Sequence, residues 1–123
     1  MTRKPKKIAL CAATLLACLP AAGCRSAFVQ TSIVNQTGAP VRLIEVDYPS
    51  ASFGTQQIDK GTTFNYRFKV LGSGAVTISF TGGDNKIHTS TGPTLDQGQQ
   101  GTLIVTLGSG DSVTWNPHLS APK

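Results

Sequence analysis

Cysteine is nearly absent from this chain of 123 residues, and its three cysteines, Cys11, Cys18 and Cys24, all lie in the first 24 positions. The sequence that follows Cys24 can form neither a disulfide nor a thiol-based active site. A domain built from that sequence must be held together by packing and hydrogen bonding alone. Its length, close to a hundred residues, is ordinary for one domain with one core.

Charge is also scarce, because only 14% of the residues are charged and the formal net charge is +5. Four of the eleven basic residues lie in the first seven positions. From Cys24 onward, seven basic side chains face six acidic ones, which leaves a net charge of +1. Nucleic-acid binding depends on clustered cations that neutralise phosphates, so this balance argues against a nucleic-acid partner.

A hydrophobic run long enough to span a bilayer is missing as well. The longest apolar stretch, residues 8–19, would cover about 18 Å as a helix, against a hydrocarbon core of about 30 Å. It follows a basic start and precedes Pro20, Ala21, Ala22 and Gly23. A basic, then apolar, then small-residue layout is typical of a secretory signal, and cleavage after Ala22 or Gly23 is one interpretation.

The small residues directly before Cys24 resemble the lipobox of bacterial lipoproteins. This resemblance implies a signal peptide over residues 1–23, cleavage between Gly23 and Cys24, and attachment of diacylglycerol and palmitate to Cys24. It also implies a short lipidated tether over residues 24–27 and a membrane as partner. An Asp after the cysteine retains such proteins at the inner membrane, and Arg25 stands there instead. We therefore expect a location in the cell envelope, with the outer membrane favoured over the inner one.

The rest of the chain has the pattern of an all-β protein. Short segments rich in Val, Ile, Thr and Phe alternate with Gly, Pro and Asp turns at the spacing typical of an antiparallel sandwich. We predict about seven strands and a short last one, with a domain over 28–116 and a flexible tail over 117–123. The predicted strands are 28–35, 41–48, 52–58, 63–71, 75–81, 86–91 and 102–107, followed by 112–116.

The clearest alternation predicts which side chains form the core. Phe64, Tyr66, Phe68 and Val70 should face inward, and so should Val76, Ile78 and Phe80 across a glycine turn, which makes these two strands a hairpin. A second sheet must cover its apolar side, with Leu103, Val105, Leu107, Ile33, Ile44 and Val46 as the residues that supply this cover. The pattern resembles an immunoglobulin-like or fibronectin-type sandwich without paired cysteines, as in small bacterial lipoproteins built from one such domain.

No set of residues in the sequence amounts to an active site. His88 lies in a predicted strand without the three or four spaced ligands of a zinc site, so we interpret it as an exposed or hydrogen-bonded strand residue. Asp59, Asp84, Asp96 and Asp111 fall in turns, where carboxylates bond nearby backbone N–H groups. Glu45 and Asp47 share a strand face, and we interpret them as solvated. We predict no catalytic, cofactor-binding or metal-binding residues, and no enzyme activity.

Three residues remain as contact candidates. Trp115, the only tryptophan, is either a plug that closes one end of the core or a stacking platform for a sugar. Arg67 and Lys69, with Arg42 nearby, would form a small basic stripe. We therefore expect a non-enzymatic, lipid-anchored interaction or structural module that binds another envelope protein through a sheet edge or face. The alternative is a carbohydrate- or small-ligand-binding module that uses Trp115, and the oligomeric state stays open.

Overall fold

The fold contains eight β-strands and no α-helix over residues 27–121, which are the residues that the computed structural model describes. The predicted signal segment, Gly23 and Cys24 lie outside this range. In the described part of the chain, no helix is long and apolar enough to cross a membrane. The strands are β1 (Val29–Asn35), β2 (Val41–Tyr48), β3 (Ala51–Ile58), β4 (Thr63–Phe68), β5 (Gly74–Thr81), β6 (Ile87–Leu95), β7 (Gln100–Leu107) and β8 (Val113–Ser120).

The strands form two four-stranded sheets, which confirms the all-β sandwich. One sheet has the order β4-β1-β7-β8 and the other β3-β2-β5-β6. Every pairing is antiparallel except that of β1 with β7, which runs parallel. The expectation of a purely antiparallel sandwich was therefore wrong at this pair. β1 and β7 are neighbours in the middle of their sheet, and both start at the same end of the sandwich.

The core lies between the two sheets and is made by the inward side chains of alternating strand positions. Val76, Ile78 and Phe80 of β5 are at most 1% exposed. Leu103, Val105 and Leu107 of β7 are fully buried in the facing sheet, and Ile33, Ile44 and Val46 are at most 2% exposed. These nine positions confirm the predicted inward faces, because a strand buried on one side repeats its pattern every second residue.

The predicted hairpin of β4 and β5 is wrong, because the two strands lie in different sheets. β4 pairs with β1, whereas β5 pairs with β2 and β6. The glycine-containing segment between them crosses from one sheet to the other. As an edge strand, β4 also leaves Tyr66 40% exposed, and its ring stacks on Phe53 of β3 with 4.2 Å between ring centroids. Aromatic packing thus closes this side of the sandwich.

The last strand continues through Pro117 to Ser120, so residues 117–120 are not the flexible tail that the sequence predicts. Pro117 lies opposite Leu103 in β7, and β8 is an edge strand with only this one neighbour. A proline in an edge strand can turn its missing N–H group toward the unpaired side, where no ladder hydrogen bond is lost. Proline therefore did not mark the end of the strand here.

The two ends of the sandwich differ in what they carry. We call one of them the Phe28 end. Strands β1, β3, β5 and β7 start there, and strands β2, β4, β6 and β8 finish there. At this end the Gly98 N–H donates to the Val70 carbonyl at 2.9 Å. The opposite end we call the His88 end. It holds the turns at 36–40, 59–62, 82–86 and 108–112.

Candidate functional site

Asp84, His88 and Asp111 converge at the His88 end. The Nε2 atom of His88 lies 3.1 and 3.0 Å from the two carboxylate oxygens of Asp84 and 3.3 Å from Oδ2 of Asp111. The three side chains come from the turn after β5, from β6 and from the turn after β7. Two carboxylates therefore face a single imidazole nitrogen, and this is the densest group of ionisable side chains in the described residues.

Local backbone geometry places Asp84 in the turn between β5 and β6. The Lys86 N–H donates to Oδ1 of Asp84 at 2.9 Å, and the Asn85 N–H donates to the Gly82 carbonyl at 3.0 Å. Asn85 has a φ of +64°, a conformation that Asn adopts more readily than most residues. The sequence Gly-Gly-Asp-Asn-Lys therefore forms a tight turn that brings its carboxylate back over His88.

A close contact with Gly82 holds Asp111 against the same turn. A Cβ atom at position 82 would lie 2.7 Å from Oδ1 of Asp111, nearer than a real Cβ can approach. Asp111 itself has a φ of +58°, in a short 3-10 segment over Ser109–Asp111. Glycine at position 82 leaves room for the carboxylate where it lies, and the contact joins the two sheets at the His88 end.

The electrostatics of the cluster favour the ionised form of Asp84. The backbone N–H of Lys86, followed by the hydrogen bond from His88, lowers the pKa of Asp84 below its ordinary value. One imidazole nitrogen and two carboxylate oxygens are ligand types that suit several divalent transition metals. Their donor atoms lie within 4.8 Å of one another, so these three residues could hold such an ion. Without one, the imidazole and carboxylates bond to each other.

Trp115 closes the other side of the sandwich, between the edge strands β8 and β6. Its Nε1–H donates to Oγ of Ser90 at 2.9 Å, and its ring lies against the backbone of Gly92. The ring is partly buried and packs against the core. These contacts support the plug interpretation, because they use one face and the polar atom of the indole for packing. The carbohydrate-binding interpretation stays a prediction, which quenching of the tryptophan fluorescence by polysaccharides would test.

Arg67 and Lys69 lie near the Phe28 end, where both approach one aromatic ring. Cζ of Arg67 lies 4.5 Å and Nζ of Lys69 lies 5.7 Å from the centroid of Phe28. The predicted basic stripe is therefore present as a pair. Arg42 is not part of it, because its guanidinium bonds to Oδ1 of Asn85 at the His88 end.

Glu45 and Asp47 do share a face, as the sequence predicts, and that face is the outer surface of the β3-β2-β5-β6 sheet. Both are exposed, opposite Gly54 and Ser52 of β3. A broad, open depression lined in part by Glu45 lies on this surface, next to the bulge at which Leu43 adopts a φ of +52°. The two carboxylates are thus arranged on an open sheet face.

The fold and these contacts define an all-β sandwich of two four-stranded sheets, with one ionic cluster at one end and a basic and aromatic pair at the other. No family model, no curated protein and no solved structure gave a significant match to the chain.

Proposed function

We propose that this chain is a lipid-anchored, non-enzymatic protein of the cell envelope that acts as an interaction module. The anchor would be the fatty chains on Cys24 that the lipobox resemblance implies, with cleavage after Gly23 and the outer membrane as the favoured location. The partner would be another envelope protein that adds a strand to the free edge of β3. The observation that carries the interaction role is a contrast between the edge strands of the sandwich.

The edge strands on the Trp115 side are blocked against strand pairing. β6 contains Pro93 at a bulge in its pairing with β5, and β8 contains Pro117. Proline and bulges are the usual devices that keep edges from pairing with another chain. The edge strand β4 instead carries a cation, Arg67, which has a similar effect.

β3 has none of these features. Its sequence, ASFGTQQI, contains no proline and no charged residue, and the strand runs for eight residues with β2 as its one neighbour within residues 27–121. A row of unpaired N–H and C=O groups on such an edge is a template for an incoming strand, which gains main-chain hydrogen bonds. The small polar residues Ser52 and Gln56 are exposed along it and would not oppose the approach.

The ionisable groups of the described residues support a non-enzymatic role through the contacts they already make. Asp84 and Asp111 bond with His88, and Oδ1 of Asp59 accepts a hydrogen bond from Gln57 at 2.7 Å. Glu45 and Asp47 are exposed on an open sheet face.

Mass spectrometry of the protein purified from its native membranes tests the anchor. We expect an amino terminus at Cys24 with a mass increase corresponding to diacylglycerol and a fatty acyl chain. An unmodified Cys24, or release of the chain into the medium, would refute the anchor.

Site-specific photo-crosslinking in cells tests the edge. A crosslinker at Gln56 should yield one adduct with an envelope protein, whereas a crosslinker at Thr114 on β8 should yield none. The double substitution Ser52→Lys and Gln57→Lys at two exposed positions of β3 should abolish the adduct, because lysine on an edge opposes strand addition. The matched control, Asn116→Lys and His118→Lys at two exposed positions of β8, should leave it unchanged. Equal adducts from both edges would rule out β3 as the contact strand.

A further inference from the structure

The Phe28 end presents an apolar side chain to solvent. Leu71, in the segment that crosses between the sheets, is 64% exposed. Its backbone is held, because its N–H donates to Oγ of Ser50 at 3.3 Å. Together with Ala27, Lys69 and Gln97, it lines a shallow depression of about 190 Å³. The exposed side chain of Leu71 thus lies on a hydrogen-bonded backbone beside Lys69.

Two cations lie on the same end and are positioned by one ring. Arg67 and Lys69 both lie over Phe28, at 4.5 and 5.7 Å from its centroid. Such contacts hold cationic groups in place without neutralising them. Two exposed carboxylates oppose them, Asp96 in a turn at this end and Asp47 next to the last residue of β2. The Phe28 end therefore combines an aromatic ring, an exposed leucine and two cations that lie over the same ring.

The first described residue, Ala27, lies at this end. Four residue steps separate Cys24 from Phe28, and four extended residues span at most about 14 Å. A lipid on Cys24 would therefore keep the Phe28 end within about that distance of the head groups. We propose that the Phe28 end is a docking surface for an anionic bilayer, with Leu71 entering the head-group region and Arg67 and Lys69 contacting anionic lipids. This inference rests on the proposed lipid anchor.

The size of the effect suits a role in orientation. Each cation near an anionic membrane surface contributes about 1 kcal/mol, so two cations shift a binding equilibrium by about 30-fold before Asp47 and Asp96 are counted. Such an interaction is too weak to recruit a protein from solution, but the anchor already supplies attachment. In the docked orientation the His88 end would face away from the bilayer. Strand β3 would run away from the membrane surface, with its free edge facing sideways.

Depth measurements on the lipidated protein test this orientation. The full chain is produced in cells, its mass is checked for lipid on Cys24, and it is reconstituted into vesicles of phosphatidylcholine alone or with phosphatidylglycerol. A nitroxide is placed at Gln97→Cys on the Phe28 end or at Ser109→Cys on the His88 end. Both positions are exposed, and neither substitution alters a charge. Accessibility to water-soluble and lipid-soluble relaxation agents reports the depth of each label.

We expect the label at position 97 to lie at head-group depth in the anionic vesicles and the label at 109 to lie in water. The double substitution Arg67→Gln and Lys69→Gln should lower the ratio of docked to undocked protein by about 30-fold. The matched control, Lys60→Gln and Lys86→Gln, removes two exposed cations at the His88 end and should leave that ratio unchanged. Thermal unfolding checks that both double variants are folded.

The two proposals fail in different ways. Lipid on Cys24 with both labels equally exposed to water, or with no dependence on anionic lipid, would overturn the docking surface and leave the anchor standing. Spin–spin coupling between position-97 labels on two molecules would show that a second copy covers this end, and would overturn it too. An unmodified Cys24 would overturn the anchor and the docking surface together.

Discussion

The indole of Trp115 lies against the backbone of Gly92, so close that a Cβ atom at position 92 would be 2.5 Å from Cδ2 of the ring. The two residues belong to the facing edge strands β8 and β6, and no other glycine in the described residues has a side chain from the opposite sheet packed so tightly over it. The absence of a side chain at one position thus lets a large side chain seal one side of the core.

Replacing Gly92 by alanine should therefore destabilise the protein by about 2 kcal/mol, because the added methyl group must displace the ring or the strand. Chemical denaturation followed by the fluorescence of Trp115 would measure both the loss and the displacement. Gly72→Ala is the matched control, because a Cβ there would meet Pro49 at an ordinary 3.7 Å. Equal stability of the two variants would mean that the indole is not held against Gly92.

A buried amide organises the turn after β1. The side chain of Asn35, fully buried, donates to the carbonyls of Ala39 and Ile58 at 2.8 and 2.9 Å, and its Oδ1 accepts from the N–H and hydroxyl of Thr37. Asn35→Ala should cost about 3 kcal/mol of the free energy of unfolding, since it removes the donor to the buried Ile58 carbonyl and the acceptor that Thr37 uses. Thr37→Val, which removes only the hydroxyl, should cost less. The order of the two denaturation midpoints checks this, and the reverse order would contradict it.

The other buried polar side chain of β1, that of Thr31, lacks the hydrogen bonds that Asn35 makes. Thr31 is fully buried, and its Oγ1 has no hydrogen-bond partner among the described residues. Thr31→Val replaces an unsatisfied hydroxyl with a methyl group of similar size, so we expect the variant to be more stable by about 1 kcal/mol. Urea denaturation of both proteins tests this. A loss of stability would indicate that the hydroxyl does have a partner in solution.

Acid should weaken the cluster at the His88 end. The hydrogen bonds from Lys86 and His88 lower the pKa of Asp84 from its ordinary 3.8, so the folded state favours the ionised form. The stabilisation is then complete above about pH 4 and is lost as the pH falls through the lowered pKa of the folded state. In a denaturation series from pH 6 to 2, Asp84→Asn should flatten this part of the acid slope. Asp47→Asn should keep the wild-type slope, because it leaves the hydrogen bonds of Asp84 in place; identical slopes in the two variants would contradict the assignment.

The inward and outward faces of most strands could be predicted from the sequence, because alternation is a local property. Val76, Ile78 and Phe80, and likewise Leu103, Val105 and Leu107, are buried as their spacing predicts. Strand partners are not local, and the prediction failed there. A glycine turn after β4 looks the same whether the next strand returns beside β4 or crosses to the other sheet, as it does here.

The ionic cluster was missed for a related reason, although a signal for it exists. From the sequence, Asp84 and Asp111 were each interpreted as isolated turn residues. His88 was interpreted as an isolated strand residue. Strands that alternate in direction place the turns after β5 and β7 at the same end of a sandwich. Two Gly- and Asp-containing turns at one end, with a histidine at the start of the following strand, indicate that these groups can meet. The distances between these groups depend on how the two sheets pack, and the sequence of either turn alone does not determine them.

The central position of β1 determines the order in which the protein can fold. Val29 pairs with Phe68 on one side and with Gly101 on the other, so the first strand has no partner close to it in the chain. The pairs β2–β3, β5–β6 and β7–β8 join strands adjacent in sequence and can form early, whereas the cost of closing long loops delays β1. During synthesis, then, β1 stays without either partner until β4 has emerged, and a nascent chain stopped before β7 still lacks the core side chains Leu103, Val105 and Leu107.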